Sequence, residues 1–171
     1  MHFHLLRVPQ RQVVLVMEAG GGRIGIDPTK LGSFARMDDP GARPHVVRDI
    51  MDIAPEPWTY ERPMLLFRVD KREDVKFVMH FLIPGVVLSQ TGPLTLSVWI
   101  NAKRLGQQIY KNSGKHSFEQ SVPIEFFGPY RLTAVEIRMD KHFIAAEDGA
   151  KLGFLLVDAG FALQPDRDVC N

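Results

Sequence analysis

The stretch "VKFVMHFLI", residues 75 to 83, constrains the fold most, because its apolar residues recur at every second position. Val75, Phe77, Met79, Phe81 and Ile83 share one side of an extended chain. Lys76 and His80 share the other side with Val78 and Leu82. Successive side chains of a strand point to opposite faces, so the pattern predicts a strand with one deeply buried face and one mixed face. "LTLSVWIN" repeats it, with Leu94, Leu96, Val98 and Ile100 apolar and Thr95, Ser97, Trp99 and Asn101 opposite them. In "RLTAVEIRMD", Val135, Ile137 and Met139 alternate with Glu136 and Arg138. The predicted core is therefore Phe77, Met79, Phe81, Leu96, Val98, Ile100, Val135 and Ile137.

Further strands are expected at Phe3 to Val8, Gln12 to Glu18, Met64 to Val69, Leu105 to Tyr110, Ser117 to Val122 and Leu152 to Leu163. No window of a dozen residues carries a helical stripe. Short strands broken by Gly and Pro favour an all-β fold, an antiparallel two-sheet sandwich, over βαβ units. "IPGVVLSQTGPLTLSV" and "VPIEFFGPYRLTAVEI" echo one another. In each, an apolar-Pro pair ends a strand, because proline cannot donate a ladder hydrogen bond, and Gly-Pro punctuates the turn before the next strand. The intervening "GVVLSQT" and "IEFF" suit single helical or 3₁₀ turns that cross between sheets. Residues 28–63 hold six of the twelve prolines and little periodicity, which predicts a long irregular segment. Within it, "HVVRDIMDI" is an edge-strand candidate.

"SVWINAKRLGQQIY" reads as a hairpin. A two-residue turn needs positive φ at both central residues, which Asn-Gly supplies and Asn101-Ala102 does not favour. The expectation is a longer loop running through Lys103 and Arg104. Trp99 lies opposite Ile100, and one strand leaves open whether it covers a second sheet face or meets solvent.

At 171 residues the chain is expected to form a single domain, residues 1–171. Its formal charge of +1, without a basic stripe, argues against nucleic acid. No apolar run spans a bilayer and "MHFHLLRVPQRQVVLV" lacks both a basic leader and an uninterrupted apolar stretch, so no membrane contact and a cytoplasmic location are the default expectations. The single Cys170 rules out an internal disulfide and reads as an incidental tail thiol. "GGGRIG" meets G-x-G-x-x-G at Gly20, Gly22 and Gly25, but Pro28 and Gly32 stand where a dinucleotide-binding helix would run. A hairpin turn explains it better. His2 and His4 have chelating spacing, yet no carboxylate follows until Glu18, and His45, His80, His116 and His142 are scattered. No transition metal and no cofactor are expected. Asp38-Asp39, Glu73-Asp74 and Glu147-Asp148 read as solvated turns rather than paired hydrolytic carboxyls. "DKHFIAAEDGAKLG" lacks the ligand register of an EF-hand. No serine-hydrolase, zinc-finger or P-loop signature is present, so no catalytic residue is assigned.

"EPWTYERP" puts Trp58 and Tyr60 two apart, with Arg62 following, in a Pro-bounded stretch. Aromatic rings stack on sugars or bases and an Arg adds directed donors, so these three with Trp99 are the candidate ligand contacts. Anchoring of the loop by the two rings is the competing role.

"WTYERPMLLFRV", "MHFLIPGVVLSQTGPLTLSVWINAKRLGQQIY" and "DGAKLGFLLVDAGF", within residues 58–161, resemble a poorly characterised group of bacterial β-sandwich domains of galactose-binding-like (jelly-roll) type. Some of these accompany glycosyltransferases or other carbohydrate-active enzymes. Related sequences tend to read "VNG" where this one has Ile100-Asn101-Ala102. The resemblance implies a jelly roll and a sugar connection and carries over no catalytic residue. The leading expectation is a non-catalytic carbohydrate-binding or accessory module. Alternatives are a protein-interaction or assembly domain, oligomeric or with a partner protein, and a small metal-dependent or carbohydrate-active enzyme.

Overall fold

The computed structural model describes the backbone of residues 3–7, 13–19 and 22–26, and residues 27–51 and 56–165 in full. Three strands come first, β1 (Phe3–Arg7), β2 (Val13–Ala19) and β3 (Gly22–Ile26), paired antiparallel in that order. Val13 to Ala19 pairs back on Gly22 to Ile26, so a strand, not a helix, follows the glycine run. Gly20, His2 and Cys170 lie outside the described residues.

Most of the remaining described residues form a two-sheet antiparallel β-sandwich. Its strands are β4 (Phe34–Arg36), β5 (Val46–Ile50), β6 (Thr59–Arg68), β7 (Val75–Ile83), β8 (Leu94–Ile100), β9 (Lys103–Tyr110), β10 (Gly114–Ser121) and β11 (Leu132–Met139). A two-stranded ribbon of β12 (Phe143–Ile144) and β13 (Lys151–Leu152) leads into β14 (Leu155–Leu163). One sheet runs β10-β7-β14-β4 and the other β5-β6-β11-β8-β9. Setting β5 aside, the remaining eight strands have the interleaved order of a jelly roll, with β5 as an added edge strand.

The two echoed crossovers fall where the prolines predict. Gly85–Thr91 is one short helix, α1, which takes the chain from β7 to β8. Ile124–Phe126 is a 3₁₀ turn between β10 and β11. Both connections change sheets.

All eight predicted core residues are buried, and Phe67, Phe118, Phe154 and Phe161 join them. Phe77 meets Phe118 and Phe161, while Phe81 meets Tyr110 edge-on with centroids 5.1 Å apart. The parity argument works because the inner faces of two sheets must share one apolar layer, leaving polar alternates outside.

Three features depart from the sequence reading. The first is the Asn101-Ala102 connection, which is a two-residue turn with φ of 48° and 67° and with Lys103 directly opposite Ile100. Its side chain explains why: Asn101 Nδ2 donates to the Phe126 carbonyl at 2.9 Å, and Oδ1 accepts from the Ala134 N–H at 3.0 Å. These bonds fix Asn101 in the left-handed region, and Ala102 is carried with it. Second, residues 28–63 are more regular than their prolines suggest, holding β4, β5 and 3₁₀ turns at Pro28–Lys30 and Pro40–His45. "HVVRDIMDI" does supply the edge strand. His45 fastens this segment: its Nδ1–H donates to the Leu66 carbonyl at 2.8 Å, and Nε2 accepts from the Gly32 N–H. Third, β6 starts at Thr59 and runs through Pro63, so Tyr60 and Arg62 are strand residues. Pro63 is tolerated because pairing with β11 stops at Met64, and the register with β5 slips between Arg48 and Ile50.

Candidate functional site

The outer face of the five-stranded sheet carries the polar alternates of its strands, and the register lines them up in a row. Arg48 stands opposite Met64, Met64 opposite Glu136, Glu136 opposite Trp99, and Trp99 opposite Arg104. Directly opposed residues of antiparallel strands project to the same side, so one band of side chains crosses all five strands.

A groove of about 690 Å³ lies over this band. Met64, Leu66, Leu132 and Ala134 give it an apolar floor, part of a second small hydrophobic cluster with Leu31 and Val47. Asn101, Ala102, Gly128 and Tyr130 form one end, and Tyr130 is 55% exposed. The other end is charged. Glu136, only 7% exposed, accepts from three guanidiniums: Arg48, Arg138, and Arg62 at 2.7 Å. Burial alone would push the Glu136 carboxyl up. The hydrogen bonds and charges of Arg62 and Arg138 outweigh it and hold the group below the usual carboxylate range.

Local geometry explains why the arginines converge. Asp49 sits in β5 with φ of 58°, a left-handed conformation that Asp tolerates better than most residues. Its carboxylate accepts from the Arg62 N–H at 2.9 Å, which fixes β6 at the register slip. Arg48 Nε donates to the Arg62 carbonyl at 3.1 Å, so both side chains leave one anchored point. On the other side, the Arg138 guanidinium stacks on the Trp99 ring, 3.9 Å from its centroid. The indole N–H of Trp99 donates to Ser97 Oγ at 3.0 Å, which fixes the ring plane. The site is therefore preorganised: each of these polar side chains is held by at least one bond before any ligand arrives.

Of the four residues singled out from sequence, Arg62 and Trp99 line this groove together. Tyr60 lines an adjoining hollow of about 440 Å³ with Arg48, Asp49, Glu61, Arg62 and Lys151. Trp58 is elsewhere: it bridges to Leu155 and packs against the sandwich core. Its neighbour Thr59 is fully buried, and its hydroxyl accepts from the Phe154 N–H and donates to the Phe154 carbonyl. Trp58 therefore lines neither the groove nor the adjoining hollow.

Arg48, Tyr130, Glu136 and Arg138 were missed by sequence reading. Glu136 and Arg138 were visible as outward alternates of a strand, but nothing in the chain marks which strand is their neighbour. Arg48 and Tyr130 come from the edge strand and a crossover, which only the sheet order brings to the groove. Among the described residues no cluster of three or more His, Cys, Asp or Glu could hold a metal ion. The three acidic pairs stand exposed, and Asp39 caps the turn at Pro40–His45. No helix among the described residues is long and apolar enough to cross a membrane.

No family model matches the chain, and no curated protein matches it. Solved structures do resemble its fold loosely. An acetyl xylan esterase from the rumen bacterium Butyrivibrio proteoclasticus is 10% identical with a TM-score of 0.37, over 64% of this chain and 27% of that one. A family GH115 4-O-methyl-alpha-glucuronidase with specificity for decorated arabinogalactans is 9% identical with a TM-score of 0.40, over 81% and 17%. An M60 catalytic domain with CBM51-1 and CBM51-2 domains from Clostridium perfringens is 10% identical with a TM-score of 0.33, over 85% and 18%. The chain thus spans about a quarter or less of each of these proteins. Likeness this distant carries no argument about function.

Proposed function

We propose that this chain is a non-catalytic carbohydrate-binding module whose ligand lies across the outer face of the five-stranded sheet. One observation supports the reading above all: a preorganised groove in which Trp99 and Tyr130 flank an apolar floor beside a fan of guanidinium donors. A pyranose ring has a C–H-rich face and a hydroxyl-bearing edge. It needs an aromatic or apolar surface beside directed polar groups, and this groove offers both. Glycoside hydrolysis uses two carboxyl groups across the scissile bond, one of them protonated. The groove has one, Glu136, and its three guanidinium partners keep it ionised and acceptor-only. Glu136 serves to position the arginines, and the groove lining holds no second carboxyl group.

The test is a glycan array probed with the intact protein and with Trp99→Ala. The intact protein should retain a subset of glycans and Trp99→Ala should lose them while melting within a few degrees of the parent. Trp58→Ala should chiefly lower the melting temperature. An array that retains no glycan for the intact protein would overturn the reading, and a concentration-dependent dimer would then replace it with the assembly reading.

A further inference from the structure

Resting on that reading, we infer that the sugar this groove receives is acidic, with a carboxylate held between Arg62 and Arg138. Three guanidiniums share one carboxylate, and the groove lining contains no other acidic residue. The groove lining at the charged end therefore carries two net positive charges, an excess that Asp49 and Glu61, with Lys151, in the adjoining hollow reduce but do not cancel. Arg62 and Arg138 reach the same oxygen, Glu136 Oε1, so their guanidinium groups are brought within close range of each other. Like charges held this close repel, and the repulsion is strongest over an apolar floor that lowers the local dielectric. An anion entering the groove would offset the positive excess that its lining keeps.

The donors for it are present. A guanidinium offers five N–H groups in a planar fork. Arg62 and Arg138 each give Glu136 one bond, and among the described residues their side chains donate to no other protein group. Arg48 bonds both Glu136 and the Arg62 carbonyl and acts as the brace. A neutral hydroxyl takes one N–H at a time. A carboxylate takes two in parallel with charge assistance, which this pair of forks is built to supply. Arg138 covers one face of Trp99, so a ring carrying that carboxylate would rest on the apolar floor beside this pair.

Calorimetric titration of the full chain tests this, with galacturonate and glucuronate compared with galactose, glucose and acetate. The uronates should bind at least about tenfold more tightly than their neutral counterparts and than acetate. Their affinity should fall as salt rises from about 0.01 M to about 1 M, where the Debye length shrinks from about 30 to about 3 Å. Arg62→Gln should weaken the uronates about tenfold and change the neutral sugars by less than about twofold. Equal binding of uronates and neutral sugars overturns the acidic assignment and leaves the glycan reading standing. Acetate binding as tightly as the uronates overturns both, because the sugar ring then adds nothing. Binding of none of these probes also overturns both. Full uronate preference in both Arg62→Gln and Arg138→Gln overturns the assignment to these two guanidiniums.

Discussion

Replacing Glu136 with Gln removes the charge on which three arginines converge and changes almost nothing else in shape. Arg48 is its most sheltered partner, with a side chain 25% exposed, and losing a charge-assisted bond of that kind costs about 1.5–3 kcal/mol. Arg138 and Arg62 are 37% and 53% exposed and behave more like surface partners, each worth about 0.2–1 kcal/mol. The desolvation cost of a carboxylate at 9% exposure is relieved at the same time and offsets part of the sum. The expected net loss is about 2–3 kcal/mol, or a melting temperature lower by about 5–10 °C for a chain of this size. Urea and thermal denaturation near neutral pH measure it. The pH profile adds a second readout. Because the folded carboxyl titrates below its ordinary value, its stabilisation is complete above the unfolded pKa and disappears as pH falls through the folded one. The gap between parent and Glu136→Gln should therefore close on acidification. A loss under about 0.5 kcal/mol, with no closing of the gap, would refute the view that Glu136 organises the site.

Other consequences are separable. Phe81→Ala empties the centre of the aromatic core and should cost about 3–5 kcal/mol by chemical denaturation. Ala102→Gly should stabilise the fold by about 0.5–1 kcal/mol, since it removes a left-handed alanine and keeps the turn. Thr133→Val should stabilise by about 1 kcal/mol, because the buried Thr133 hydroxyl has no partner among the described residues. Burial holds the His45 imidazole below its ordinary pKa, against the bond to Leu66, so protonation favours the unfolded chain. Unfolding free energy should be highest above about pH 6.5 and fall as pH drops through the folded value, a slope absent in His45→Asn.

The frame was legible because alternation is a local signal and burial obeys it. Phe77, Met79, Phe81, Leu96, Val98, Ile100, Val135 and Ile137 could be assigned inward without knowing which strands pair. The prolines at 84 and 123 marked strand ends for the same local reason. The Asn101-Ala102 turn was misread because its stability comes from Phe126 and Ala134, remote partners that overrule the preference of the dipeptide. The candidate site was half legible: the strand pattern pointed to Trp99, partly buried on the outer face, and to the exposed Arg62. The convergence of Arg48, Arg62 and Arg138 on Glu136 depends on β5, β6 and β11 being neighbours, a fact of sheet order no single strand encodes. Nothing local to "EPWTYERP" reveals that Trp58 packs against the sandwich core while Tyr60 and Arg62 line the adjoining hollow.

The chain has only two tryptophans, so the indole N–H region of a nitrogen-edited NMR spectrum holds one signal for each groove and core reading. Trp99→Phe assigns them by the signal it removes. During titration of the intact protein with galacturonate, glucuronate, galactose and glucose, the Trp99 signal should shift progressively and saturate while the Trp58 signal stays in place. A shift confined to Trp58, or no shift of either signal with any of the four sugars, would contradict a sugar site on the outer face of the five-stranded sheet.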